Sequence, residues 1–329
     1  MKDLHEIFKA FDKLKVLIVG DLMIDAYYYG KVDRISPEAP VPVVSVDHKE
    51  MRLGGAANVA LNIKAMGATP ILVGVCGADF EATELFGLLD KEGIDSTGII
   101  REAKRRTTTK IRIIGNQHQV LRVDCEDLFS VNSETSGILK QRISSELGKT
   151  DVVIIEDYNK GLLTKSLIKH IISEAKLAGT PVVVDPKKEH FFEYKGVTLF
   201  KPNRKEIKEG LKTDADLKDL ERVKESMDQI RQKLECEMVM TTLSEDGVLI
   251  GDSTENIHIP ALSRKIVDVS GAGDTVVSIA ALCLALKLSK KQIAELSNLA
   301  GGLVCEKLGV APVIKNQLLK EALSLASWD

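Results

Sequence analysis

Four short apolar runs constrain this chain more than any other feature. KVLIVGD (15–21), PILVGVCG (70–77), DVVIIED (151–157) and TPVVVD (180–185) are rich in Val and Ile, and most close on a carboxylate or glycine. They are continuous rather than alternating, so each strand they predict must be covered on both faces. Stretches of helical length, 54–67, 81–92 and 164–178, punctuate the runs. Strand–helix alternation of this kind predicts an α/β fold, a three-layer sandwich with a mostly parallel central sheet. VTLFKPN (197–203) and MVMTT (238–242) extend the sheet around a charged helix at about 214–235, and GVLIG (247–251) and NIHIP (256–260) read as antiparallel edge strands. Helices at 273–286, 289–308 and about 315–326 close the chain.

A second texture interrupts the first. PVPVVSV (40–46) alternates and carries prolines, which suits an edge strand or flap. Between 96 and 125, TTTKIRII and QVLRVDC flank a GNQHQ turn. Together these predict a small β lid, from about 40–46 and 96–125, on a single domain spanning 1–329. No repeat, low-complexity tract or linker divides the chain. With 44% hydrophobic but only 4% aromatic residues, the core must be aliphatic. A net charge of −3, with lysines and arginines scattered, argues against a general nucleic-acid or membrane-surface binder. The five cysteines form no CxxC pair and read as free thiols. The N-terminus is not a signal peptide, and no apolar run is long enough to span a membrane, so a cytoplasmic location is expected.

The run DVSGAGDTV (268–276) proposes the chemistry. Gly271, Ala272 and Gly273 lead into Asp274 and then into an apolar helix. Small residues opening a helix present free N–H groups at the positive end of its dipole, which is an anion site. A carboxylate in that turn does not help anion binding. It fits a general base that takes a proton from a hydroxyl while the N–H groups hold a phosphoryl group. An acidic residue in a first turn is also ordinary helix stabilisation, but the glycines beside it cost stability unless a backbone must be approached closely.

Ligands of such sheets bind beyond the carboxyl ends of the strands, so the strand ends supply the other candidates. Asp21 ends the first strand and Asp25 follows about one helical turn later; both can grip sugar hydroxyls or cap a helix. Gly54, Gly55 and Asn58 fit either a hydroxylated ligand or close helix packing. Arg34, Arg112 and Arg122, with Asp124, fit a substrate phosphate or a solvated lid face. Asp157 with Lys160, and Asp185 with Lys187, place a carboxylate and an ammonium at the same point of two neighbouring strands. Asn203, Arg204, Lys205 and Glu206 open a helix, either as a capping box or with Glu206 organising a water-coordinated Mg²⁺. Thr242, Ser244 and Gly247 form a strand-end turn that suits nucleotide phosphates or a plain hairpin.

Taken together, the GGAANVALNIKAMG block, Asp157, Asp185, the N-x-x-E at 203–206 and DVSGAGDTV resemble the ribokinase-like, or PfkB, carbohydrate kinase family over nearly the whole chain. VGDLMIDAYYYGKVDRISPEAPVPVV, RLGGAANVALNI, EDYNKGLL and VDPKK are most similar to its heptose 7-phosphate kinases. The resemblance implies ATP- and Mg²⁺-dependent phosphorylation of D-glycero-D-manno-heptose 7-phosphate at its C-1 hydroxyl, feeding ADP-heptose and lipopolysaccharide inner-core synthesis. Asp274 would be the base and Gly271–Gly273 the anion hole. Asp21, Asp25, Arg34, Gly54, Gly55, Asn58, Arg112, Arg122, Asp124, Asp157 and Lys160 would serve the sugar. Asp185, Lys187, Asn203–Glu206, Thr242, Ser244, Gly247 and Asn298 would serve ATP. The family also makes Asp268 a candidate ligand for a monovalent cation such as K⁺. Ser244 departs from the glycine common there. The bifunctional members continue into a nucleotidyltransferase domain, which is not expected here. A kinase for fructose, ribose or a phosphohexose, or a non-catalytic sensor, is the alternative; a dinucleotide oxidoreductase fails for want of G-x-G-x-x-G after the first strand. An exposed alternating lid predicts a homodimer.

Overall fold

The structure is a computed structural model describing residues 3–325. Its large sheet runs, in space, β13 (Asn256–Ile259), β12 (Val248–Gly251), β11 (Met238–Thr242), β10 (Leu199–Phe200), β9 (Val182–Asp185), β8 (Val152–Glu156), β1 (Lys15–Gly20), β4 (Thr69–Cys76) and β5 (Ile99–Arg101). The pairings from β11 through β5 are parallel, and β12 and β13 pair antiparallel at the edge. The expected fold class is therefore what the chain adopts.

Alternation within the buried strands divides the core in two. Val16 and Ile18 join one apolar cluster with α1 (Leu4–Phe11), α2 (Ala56–Ala65), α3 (Phe80–Lys91), α8 (Ala272–Ala285), α9 (Lys290–Val304) and α10 (Lys315–Ser324). Leu17 and Val19 join the other, with α4 (Ser133–Leu147), α5 (Lys165–Ala178), α6 (Arg204–Leu211) and α7 (Leu220–Leu234). Helix α8 is buried at every position from Asp274 to Leu284, which fits its unbroken apolar sequence. Residue 326, expected to end the last helix, lies outside the described residues.

A separate four-stranded sheet has the order β3 (Pro42–Gly55), β2 (Leu22–Ile35), β6 (Thr108–Gly115) and β7 (His118–Cys125). It differs from the expected lid in three ways. Residues 22–35, which have no strand assignment from sequence, form one of its two inner strands, so Asp25 stands on a strand and not a helical turn beyond Asp21. Strand β3 runs on to Gly55 rather than stopping near 46. Ile99–Arg101, inside the expected lid segment, pairs with β4 in the large sheet instead. Helix α4, capped by Asn132, has no counterpart in the sequence-based assignment.

The carboxyl ends of β1, β8 and β9 are level: Gly20 pairs with Glu156, and Glu156 with Asp185. Gly20 makes this possible. A Cβ there would stand 2.4 Å from the Glu156 carbonyl oxygen and 2.6 Å from its Cβ. Gly20→Ala is expected to destabilise the protein by about 1–3 kcal/mol through overpacking between two core strands, read as a lower denaturant midpoint with unchanged slope.

Candidate active site

Helix α8 opens on Gly271, whose φ of 78° is left-handed and whose place a side chain would strain. No side chain caps this end. The amides of Gly273 and Asp274 have no backbone partner among the described residues, and both residues line a cavity at the positive end of the helix dipole.

Asp274, in the same turn, is 3% exposed. Asn58 Nδ2 donates to its Oδ2 at 2.7 Å and the Tyr158 hydroxyl donates to its Oδ1 at 2.7 Å. Burial pushes its carboxyl up to about 6, and the two donors restrain the rise. Each donor is itself held. Asn62, one turn along α2, donates Nδ2 to the Asn58 carbonyl at 3.0 Å, while its Oδ1 accepts from Thr275 and from the Val313 amide, each at 3.1 Å. Asp21 Oδ2 accepts the amides of Tyr158 at 2.8 Å and Lys160 at 3.1 Å, and its Oδ1 accepts the amide of Leu162 at 3.4 Å.

These bonds revise several sequence-based assignments. Asp21 is 3% exposed and its oxygens tie down the 158–162 loop, so it positions Tyr158 rather than presenting itself to a sugar. Asn58 is fully buried against Asp274. Asp157 accepts from the Asn159 amide at 2.8 Å and the Tyr194 hydroxyl at 2.6 Å, and is likewise turned inward at 1% exposure.

Beside Asp274 stand Glu156 and Asp185, all buried, each with one carboxylate oxygen within 4.8 Å of the others. Lys201 Nζ lies 3.0 Å from Asp185, and Lys187 lies 3.8 Å from Asp185 and 2.5 Å from Glu206. Burial opposes the Lys187 charge, but Asp185 and Glu206 outweigh it and hold its ammonium above the usual range. Asn203 and Glu206 form the expected capping box: Oδ1 of Asn203 accepts the Glu206 amide and Oε2 of Glu206 accepts the Asn203 amide, both at 2.9 Å. With those atoms occupied, the pair suits Mg²⁺ held through water rather than by direct ligation.

The nucleotide candidates line one cavity of about 1110 Å³ with Gly271–Asp274 in its wall: Asp185, Lys187, Asn203, Arg204, Lys205, Glu206, Thr242, Ser244, Gly247 and Asn298. Arg204 and Asn298 are engaged as well. Arg204 donates to the carbonyls of Leu217 (2.7 Å) and Leu243 (2.6 Å) and pairs with Asp246, tying the rim together. Asn298 donates to the Pro260 carbonyl at 2.9 Å. Lys205 is exposed at the mouth. Asp268 accepts from Ser270 and, at 2.9 Å, from the Gly309 amide, bracing the turn before α8.

The lid turns a charged face to the site. Register places Asp25 opposite both Arg52 and Lys110, Lys110 opposite Asp124, and Arg112 opposite Arg122. Asp25 pairs with Arg112, and Gly54 leaves room for that carboxylate, since a Cβ there would stand 2.2 Å from Oδ2. Gly55 ends β3 at the N-cap of α2. Arg122 pairs with Asp124 at 2.9 Å and remains half exposed. Lys160 pairs with Glu126 at 2.8 Å. Arg34 stands apart from them, nine residues beyond Asp25 near the exposed end of β2, at most ~30 Å along the strand.

The family model described as pfkB family carbohydrate kinase matches residues 13–316. This chain belongs to that family. A Bordetella bronchiseptica protein named D-beta-D-heptose 7-phosphate kinase is 39% identical over 315 residues, which is 94% of this kinase and 96% of the relative. Bifunctional protein HldE of Magnetococcus marinus is 39% identical over 330 residues, 99% of this kinase and 67% of the relative. HldE of a Caulobacter species is 42% identical, and the chain spans only 63% of its length. Among solved structures, Escherichia coli phosphofructokinase-2 superposes with a TM-score of 0.79 at 19% identity, covering 95% of this chain and 99% of that one. Arabidopsis thaliana ribokinase gives 0.74 at 17% identity, covering 94% and 99%. Both show the fold.

Sequence reasoning missed Tyr158, Glu156, Lys201, Lys110 and Arg52 in this kinase. Lys201 had a signal, an ammonium closing the apolar run VTLF. Tyr158 had little beyond its place after Asp157. Removing its hydroxyl tests the electrostatics directly. Tyr158→Phe takes away a donor to the ionised form of Asp274, so the Asp274 titration should move up from about 6 by roughly one to two units, as expected for one hydrogen bond to a charged group. Carboxyl chemical shifts followed through a pH series check the direction and size.

Proposed function

We propose that the protein transfers the γ-phosphoryl group of ATP to the C-1 hydroxyl of D-glycero-D-manno-heptose 7-phosphate. The product, a 1,7-bisphosphate, would serve ADP-heptose and lipopolysaccharide inner-core synthesis. The observation that carries the reading is Asp274, a buried but ionisable carboxylate in the first turn of a helix whose opening residues line the large cavity. The names of the relatives and the cations of the lid face support the choice of a phosphorylated heptose.

In this mechanism ATP occupies the cavity between the last strands and α8–α9. Lys187 meets its phosphates as a point charge. Asn203 and Glu206 hold Mg²⁺ through water. When bound, Mg²⁺ neutralises charge on the transferring phosphates. The sugar lies under the lid with its C-1 hydroxyl at Asp274. Asp274 takes that proton as the oxygen attacks, and the amides of Gly273 and Asp274 receive the charge of the transferring group. Asp268 is the candidate for a monovalent cation such as K⁺.

Apolar side chains left open on the lid, among them Ile35 (62% exposed), Val41 (52%) and Leu121 (54%), support a homodimer formed there. The Arg34 tip would then sit at the dimer interface. A monomer by light scattering at micromolar concentration would remove this part of the reading.

A panel of free and phosphorylated sugars, with ADP release as the readout, tests the substrate. Selectivity for heptose 7-phosphate is expected, whereas equal turnover of fructose or ribose would overturn it. Asp274→Asn should lower kcat at least ~100-fold with ATP binding retained, in line with general-base contributions. Since the base must be ionised and burial raises it to about 6, kcat should fall as pH drops through 6 rather than near the ordinary carboxyl value of 3.8.

A further inference from the structure

We propose that Glu126 is a built-in stand-in for the substrate's phosphate, holding Lys110 and Lys160 together and yielding them when a phosphorylated sugar arrives. The proposal rests on the reading of a phosphosugar substrate and names the residues that select for its phosphate.

The two lysines come from separate parts of the fold. Lys110 stands on β6 beside Asp25, and Lys160 on the loop that Asp21 pins through the Tyr158 and Lys160 amides. Both ammoniums converge on one carboxylate. Lys160 Nζ lies 2.8 Å from Oε1 of Glu126 and Lys110 Nζ lies 3.8 Å from Oε2. The three side chains are only 14–20% exposed. The fit is incomplete, because Oε2 is buried with no hydrogen-bond partner and Lys110 reaches Asp124 no closer than 3.7 Å.

Two ammoniums offer six donors, and a planar carboxylate between them meets one at hydrogen-bond distance. A phosphate group carries three terminal oxygens in a tetrahedral array and bridges two such cations better. Glu126 is the first residue past the end of β7, so it can leave without breaking a strand pair. Asp127, next in the chain, accepts the Arg106 amide at 2.8 Å and holds the backbone in place. Lys160 lies two residues from Tyr158, which donates to Asp274, so a phosphate bound here is registered against the base. An unphosphorylated sugar has nothing to exchange for Glu126.

The test uses the full chain with two substitutions. Lys110→Met should raise the KM for heptose 7-phosphate about tenfold or more and weaken competitive inhibition by inorganic phosphate equally, with the KM for ATP within about twofold. Glu126→Gln should do the opposite, lowering both the sugar-phosphate KM and the phosphate inhibition constant about threefold or more, because the competing anion is gone. If Glu126→Gln instead weakens both, or changes neither, the carboxylate is no stand-in and the proposal is overturned. Lys110→Arg, which keeps the charge, should retain selectivity and separates lost phosphate binding from lost folding. A wrong substrate reading shows elsewhere, in wild-type protein that turns over no phosphorylated sugar. Calorimetric binding of inorganic phosphate to wild type and Glu126→Gln then still decides whether the site exists.

Discussion

The structure depends on keeping one buried carboxylate ionisable. Asp274 has lost its water, and two neutral donors replace it: an amide from α2 and a phenol from the loop after β8. Neither donor stands by itself. Asn58 is fixed by Asn62, which also gathers Thr275 of α8 and the Val313 amide, so α2, α8 and the chain before α10 meet at one side chain. Tyr158 is fixed by Asp21 at the end of β1. Two carboxylates therefore share one tyrosine, Asp274 through its hydroxyl and Asp21 through its backbone amide. The shared tyrosine thus links the end of β1 to the proposed base.

This link also explains what could be seen in the sequence. The parallel sheet was legible because doubly buried strands need continuous Val and Ile, and no other element of that length does. The glycine turn before Asp274 was legible because glycines at a helix start have few structural uses. Strand β2 was not. LMIDAYYYGKVDRI leaves the core partway along, buried from Leu22 to Tyr27 and increasingly exposed beyond, so no single period describes it. Asp21 was visible as a residue that matters, yet its role was not. Its partners are backbone amides 137 to 141 positions away, and no side-chain pattern records them. The position of Arg34 was hidden for a related reason, since only the extended course of β2 shows how far it is carried from Asp25.

The lid and the sheet divide the electrostatics between them. On the lid and the loop beside it, cations have acidic neighbours: Arg112 with Asp25, Arg122 with Asp124, and Lys160 of the 158–162 loop with Glu126. At the strand ends the balance is reversed. There Glu156, Asp185, Asp274 and Glu206 are buried with only Lys187 and Lys201 among them. Such a site accepts further positive charge more readily than negative, which suits phosphates that arrive with a divalent cation and not alone.

Within that acidic group the division of roles follows from hydrogen bonding, because burial alone does not distinguish its members. Glu156 and Asp274 are both removed from water, at 0% and 3% exposure. Asp274 accepts two strong hydrogen bonds, which keep its carboxyl near 6. Both oxygens of Glu156 lack any donor. Burial, with Asp185 and Asp274 beside it, drives the Glu156 carboxyl well above the ordinary range. Of the two, the carboxyl without donors is the one inclined to keep its proton. A neutral Glu156 leaves the negative charge on Asp274, the group that the amide of Asn58 and the hydroxyl of Tyr158 are placed to receive.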